Sequence, residues 1–411
     1  MYVRARGHRE NESLRVAASA LDGPWTQAEI ATRLMPLYVD PAAAEVMADR
    51  LVSHSPRAPF GGIADLARLI AAFPPITQAP APPPKPKRSL DIAGLLDVTP
   101  SELDWLADAR GWNKRAGKPL WHYRSWWTGT STGGLRLIEA PKPRLAEAQR
   151  RLVRHLGLPV HEAAHGFRKG RSGLTYAAPH SGKPVVVRMD LEGFFASVTG
   201  ARVRALLHEY AQATTLAGLL TTRAPLAVLR DAPKTSGDPD VRRRLLAHLA
   251  HQHLPQGAPS SPAVANAVAY RLDLRLSGLA RALGAHYTRY ADDLAFSGPQ
   301  TLPLYRLLPG VAKIAREEGF RVRPDKTSVT GQHQRQKLAG LVVNASPAAP
   351  RAAYDELKAL LHNCRRTGPQ AQNRAGHPDF QAHVRGRIDW VAAGHPARGA
   401  KLRALFGQID W

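Results

Sequence analysis

The chain has 411 residues, enough for two or three folding units with a sizeable core, which excludes a minimal binding module. It is 44% hydrophobic, yet 57 Lys and Arg against 33 Asp and Glu leave a formal charge of +24, an excess that predicts a polyanionic partner, most simply nucleic acid. A single cysteine, Cys364, excludes a disulfide framework and any multi-cysteine zinc site.

Residues 1–80 carry eight basic and eight acidic side chains, so the whole surplus lies in 81–411. No apolar run approaches the roughly 18 residues of a membrane span, and "MYVRARGHRE" has no signal-peptide core, so a soluble, cytoplasmic protein is expected. "TQAEIATRLMPLY" and "DPAAAEVMADRLVSH" have helical spacing, the second with Asp40 as N-cap and Pro41 at its first position. Residues 1–73 thus read as a small helical accessory domain. The stretch 74–88, "PPITQAPAPPPKPKR", reads as a stiff polyproline II linker.

Beyond it, "SLDIAGLLDVTPSELDWLADARGW" predicts two short helices, with Ser101 and Asp104 close to a capping box. "TGTSTGGLRLIEAP" predicts a hairpin with Arg136 on its second strand, and 143–156 a helix. "KPVVVRMDLEGFF" (183–195) begins as a β-branched strand, and "GAHYTRYADDLAFSG" (284–298) alternates as a hairpin around Asp292 and Asp293. "DAPKTSGDPD" (231–240) is turn-forming and reads as a surface loop. Residues 351–411 read as basic helices, and no internal repeat is present. The mixture is α+β, not a regular βαβ series.

Asp190, Asp292 and Asp293 each follow apolar residues where water is scarce, and buried charges are paired or bind metal. Taken singly, each reads equally well as a strand-end turn or cap residue. Together they suit Mg²⁺, which prefers oxygen ligands and substrate phosphates. Two such ions about 4 Å apart support in-line nucleotidyl transfer.

"MDLEGFFASV" (189–198), "LPQGAPSSP" (254–262) and "YADD" (290–293) resemble the three central motifs of reverse transcriptases, in family order. "HGFRKGRS" (165–172), "RPDKT" (323–327) and "GLVVN" (340–344) resemble flanking motifs, so the likeness runs over roughly 89–411. It is most similar to the retron-type enzymes, although these commonly show Asn-Ala-x-x-His and Val-Thr-Gly where this chain has Tyr176–His180 and Leu338-Ala339-Gly340.

The resemblance implies a right-hand polymerase, with fingers and palm at 89–344, an antiparallel palm sheet, and a helical thumb at 345–411. It implies two Mg²⁺ ions held by Asp190, Asp292, Asp293 and the Leu191 carbonyl, with dNTPs as substrates. Phe195 takes the steric-gate position; a core aromatic is the other reading and suits Phe194 better. Gln256 and Gly257 would approach the nucleotide, Arg136 and Arg168 the triphosphate, and Lys326 the departing pyrophosphate. The arginines and Lys326 also read as solvated surface groups. Arg365, Arg366, Arg374, Arg385 and Arg387 would follow duplex phosphates or form a solvated face. His362, His383, Trp126, Trp127, Trp390 and Trp411 read as packing residues.

Implied partners are a structured non-coding RNA serving as template and primer, its DNA product and, through the N-terminal domain, an effector protein in antiphage defence. The alternatives are another defence-associated reverse transcriptase, an intron-related one, which a single cysteine leaves without a zinc endonuclease, and an inactive RNA-binding scaffold, against which all three carboxylates stand.

Overall fold

The computed structural model describes residues 88–411, apart from 109–110, 116–117, 131–132 and 235–236. The expected helical domain at 1–73 and nearly all of the linker at 74–88 lie outside the described residues. After them come α1 (Ile92–Leu96), α2 (Pro100–Ala107), a hairpin of β1 (Tyr123–Gly129) and β2 (Leu135–Pro141), and α3 (Pro143–Leu156). The capping box falls two residues earlier than the sequence pattern suggests, on Thr99 and Glu102. Pro100 has no N–H to lose and so occupies the first helical position, which makes Thr99 the cap.

The centre is a four-stranded sheet of β3 (Val185–Leu191), β4 (His286–Tyr290), β5 (Asp293–Gly298) and β6 (Val322–Gly331). Its order is β4-β5-β3-β6, with every neighbouring pair antiparallel. Successive side chains of β3 point to opposite faces. Val185, Val187, Met189 and Leu191 enter the main core, which they share with Leu276 of α7 (Tyr270–Ala282) and Leu307 of α8 (Leu304–Glu317). Each such Val or Leu contributes about 1.5–3 kcal/mol by burial.

Val186 points the other way, into a second cluster with Ala295, Tyr176, Leu338, Leu341 and Val343. Arg188 and Asp190 continue that second face, where the apolar cover ends. Two-sided burial explains why "VVV" does not alternate in polarity although the strand is antiparallel. The pairing of β3 with β6 shifts between Arg188 and Asp190, a bulge beside the carboxylate.

Between β3 and β4 lie α4 (Ala213–Leu220), α5 (Pro239–Leu249) and α6 (Ser261–Val268). The expected loop at 231–240 is shorter than the pattern suggests, since Asp238 caps α5 and Pro239 starts it. The C-terminal helices α9 (Arg351–Thr367), α10 (Phe380–Gly394) and α11 (Pro396–Phe406) enclose their own core of Leu357, Leu361, Val384, Ile388 and Leu402. Trp126 and Trp390, expected in the core, are 48% and 42% exposed. Trp126 lies on the outer face of a two-stranded hairpin, where no layer covers it, whereas Trp127 donates its indole N–H to the Val228 carbonyl at 3.0 Å. No helix among the described residues is long and apolar enough to cross a membrane.

Candidate active site

Asp190 is the next-to-last residue of β3 and the β4–β5 turn carries Ala291 and Asp292, and the antiparallel register brings Asp190 opposite Asp293. The Leu191 N–H donates to the Asp292 carbonyl at 2.9 Å and closes the two segments together. Ala291 is left-handed, with φ +55°. Its carbonyl accepts from Nη1 of Arg289 at 3.0 Å, which also reaches Oδ1 of Asn266 at 3.0 Å. Nε and Nη2 of Arg289 grip Asp273 on α7 at 2.8 and 2.6 Å, and the Tyr287 hydroxyl donates to the same carboxylate. Arg289 and Asp273 are completely buried, so the turn is anchored by a desolvated ion pair whose donors and acceptors are shared among four side chains.

Asp190 and Asp292 line one cavity of about 290 Å³, together with Leu191, Phe195, Arg136, Gln256 and Lys326. Asp190 is 5% exposed, and burial pushes its carboxyl up against the pull of Lys326, whose Nζ lies 3.2 and 3.3 Å from its two oxygens. Asp292 is pushed up to about 6 by burial and then by the charges of Asp190 and Asp293. Asp293 is part-buried and accepts from Nε and Nη2 of Arg188 at 3.0 and 2.7 Å.

The structure thus brings two of the three carboxylates into the cavity and gives the third to an arginine. Among the described residues no group of three His, Cys, Asp or Glu side chains forms a ready metal cluster. The donor set nonetheless fits a hard divalent ion. Two carboxylates that repel each other in a half-closed cavity are a place where positive charge is favoured.

Arg136, exposed on β2, reaches the cavity wall, whereas Arg168 is not part of that wall and donates to the His161 carbonyl at 3.3 Å. Gly257 has φ +126° and lies against β2, where an added Cβ would come within 3.1 Å of the Glu139 carbonyl, so only glycine fits this approach. Phe194 is buried and stacked on Phe320, while Phe195 is part-buried and lines the cavity. Helix α5 supplies a further wall through Val241, Leu245 and His248, held down by Arg244, which donates to Glu192 at 2.6 and 2.9 Å.

Tyr176 and His180 are core residues with no exposure. His180 bonds Ser297 at 2.7 Å and Thr288 at 2.8 Å, and the buried Tyr176 hydroxyl has no partner. On the C-terminal helices Arg365, Arg366, Arg374 and Arg385 are exposed, and Arg387 is half-buried 3.9 Å from Glu356. His383 stacks on His377 with centroids 3.8 Å apart, and Trp411 packs against Phe406. His362 is exposed, so it does not pack as the sequence suggests; α9 presents it on the face away from Leu361 and Cys364.

Sequence reasoning missed Arg188, Arg289, Asp273 and Asn266, and also Glu139 and His253. The last two are buried and 2.7 Å apart, and the Glu139 N–H donates to the Gln256 carbonyl at 2.8 Å. The signal for Arg289 was available, as the one permanent charge inside the mostly buried "HYTRY" strand. Nothing local marks its partners on α6 and α7.

A twisted antiparallel sheet that offers carboxylates from its central strand and from a neighbouring hairpin turn is the palm of a polymerase fold. The chain matches the family described as reverse transcriptase (RNA-dependent DNA polymerase) over residues 128–343. It is 40% identical over 342 residues to the retron Mx162 reverse transcriptase of Myxococcus xanthus, covering 78% of this chain and 66% of that one. The retron Mx65 reverse transcriptase of the same organism is 40% identical over 289 residues, 68% of this chain and 63% of the other. The retron Ec86 reverse transcriptase of Escherichia coli is 30% identical over 260 residues, 62% and 71%. The chain spans a little less than two thirds of the length of the two Myxococcus relatives. It belongs to the reverse transcriptase family, in its retron branch.

Proposed function

We propose that the chain is an RNA-directed DNA polymerase that adds dNTPs to a primer on an RNA template. The observation that carries this reading is the convergence of Asp190, Asp292, Phe195, Gln256, Arg136 and Lys326 on one cavity. Two Mg²⁺ ions would be held by Asp190, Asp292 and the Leu191 carbonyl, and Asp293 would assist if released from Arg188. Bound there, such ions supply Lewis-acid activation of a hydroxyl nucleophile and neutralise the leaving pyrophosphate.

The chain's own groups do the positioning. Arg136 offers a guanidinium fork to the triphosphate, and Lys326 a point charge that can shift from Asp190 to a phosphate. Phe195 packs under the sugar and excludes a 2′-hydroxyl by shape. Gln256 and Gly257 hold the nucleotide from the side of β2. Arg168, outside the cavity wall, would have to leave the His161 carbonyl to reach the triphosphate.

The helices of 345–411 act as the thumb, with Arg365, Arg366, Arg374, Arg385 and Arg387 along duplex phosphates. The template is a structured non-coding RNA of the retron kind that also supplies the priming hydroxyl, and the biological role is antiphage defence, with an effector protein bound through residues 1–73. The Tyr176–His180 segment stands where the retron resemblance implies recognition of the cognate RNA; because Tyr176 and His180 are buried, it would act through the backbone it supports rather than by direct contact.

The test is Mg²⁺-dependent dNTP incorporation by the wild type and by Asp190→Asn and Asp292→Asn, alongside sequencing of the nucleic acid that co-purifies. Loss of synthesis with RNA binding retained, and one abundant RNA joined to a short DNA, are expected. Synthesis retained by either variant would overturn the assignment of the carboxylates.

A further inference from the structure

Phe167 is unused by the roles above, yet its placement is unusual in two independent ways. Its backbone is left-handed at φ +60°, a region that aromatic residues rarely adopt. The residue is 51% exposed and lines the cavity that holds Asp190 and Asp292. An apolar ring kept in water on a strained backbone adds little to stability.

The neighbouring residues show why the chain cannot relax. The His165 N–H donates to the Arg289 carbonyl at 2.8 Å, and the Arg289 N–H to the Ala163 carbonyl at 2.7 Å, so this segment runs as a short extra edge on β4. Asn266 Nδ2 donates to the Gly166 carbonyl at 3.0 Å. A Cβ on Gly166 would lie 2.6 Å from the Ala291 nitrogen, so the loop is wedged against the turn that carries Asp292. The next residue absorbs the bend. Its ring comes to rest 6.0 Å from that of Phe195, tilted by 50°.

We infer that Phe167 is the base-side wall of the nucleotide cavity, its ring contacting the nucleobase of the nucleotide whose sugar packs on Phe195. The inference rests on the nucleotide-binding reading above. Asp190, Asp292, Lys326 and Arg136 serve phosphates and cations, and Phe195 serves the sugar. None of these offers a face to the nucleobase, whose edge is left to the template base. An aromatic face stacks on every base, so the contact sets affinity without selecting among the four.

Single-nucleotide incorporation on one template–primer, with each of the four dNTPs in turn, tests this in the full chain. Phe167→Ala and Phe167→Gly should raise KM for all four by about ten-fold or more, with a smaller change in kcat and an unchanged Kd for template–primer. Phe167→Tyr should stay within about three-fold of the wild type. Tm should be no lower for Phe167→Gly than for Phe167→Ala, because both lack the ring and glycine alone relieves the left-handed backbone.

An unchanged KM in the Ala variant, a defect confined to template–primer Kd, a Tyr variant as impaired as Ala, or a Gly variant that melts below Ala would each overturn the inference. A wild-type chain that incorporates no dNTP would overturn the polymerase reading and this inference with it.

Discussion

Arg289 and Asp273, neither exposed to solvent, form a two-pronged ion pair beneath the turn that carries Asp292, with contacts of 2.6 and 2.8 Å. The third guanidinium nitrogen of Arg289, Nη1, holds the carbonyl of left-handed Ala291, so the pair sets the conformation of the turn that carries Asp292 as well as its attachment to α7.

Removing one partner leaves the other charged and buried. Asp273→Asn and Arg289→Met should each destabilise the fold by about 3–5 kcal/mol, read from urea unfolding. The double variant Asp273→Leu with Arg289→Met should be less destabilised than the sum of the two. Single variants that lose less than about 1 kcal/mol would show that the pair is dispensable.

The same pair shows how far the sequence could be read. Elements with a local signature were legible: the β-branched "VVV" before Asp190, the alternating "HYTRYADDLAFSG", and Arg136 on the second strand of its hairpin. Long-range partners were not. Arg188 meets Asp293 across 105 positions and Glu139 meets His253 across 114, and no periodicity connects such residues. "YADD" alone suggests two equivalent carboxylates, yet Asp292 sits in the turn and lines the cavity, whereas Asp293 opens β5 and pairs with Arg188. Trp126 and Trp390 misled for a related reason, since hydrophobicity predicts burial only where another layer is present to cover the face.

Crowding of Asp190 and Asp292 is a stability liability in the absence of cations. Metal-free Asp292→Asn should melt at a temperature equal to or a few degrees above metal-free wild type, because a repelling charge has been removed. Added Mg²⁺ should raise the Tm of the wild type and leave that of Asp292→Asn nearly unchanged. Thermal melts with and without chelator check both, and equal Mg²⁺ shifts in the two proteins would place the ion elsewhere.

His180 should make the fold sensitive to acid. Burial, reinforced by the nearby His286, His165 and Lys183, lowers its pKa to about 3, so the folded state holds it neutral between Ser297 and Thr288. The unfolded chain takes up the proton near pH 6.5, and folding then competes against it. The contribution of neutral His180 is therefore complete above pH 6.5 and is lost as pH falls from there toward 3, by at most about 1.4 kcal/mol per unit. Unfolding free energies at pH 7.5 and 5.5 should differ by less in His180→Gln than in the wild type. Equal differences would mean that His180 is not held neutral.

On the proposed reading Phe195 discriminates the sugar, because Phe194 is stacked on Phe320 at 5.7 Å in the core while the part-buried Phe195 ring lines the cavity. Shortening it opens room for a 2′-hydroxyl without touching the carboxylates. Phe195→Val should therefore accept rNTPs, cutting the dNTP over rNTP ratio of kcat/KM by about ten-fold or more, while kcat/KM for dNTPs changes by only a few-fold. Phe194→Val should instead lower Tm, by a cavity term of about 1–3 kcal/mol, and leave the sugar ratio alone. Competition between dNTP and rNTP in primer extension measures the ratio directly. If Phe195→Val and wild type discriminate equally, the ring does not lie under the sugar.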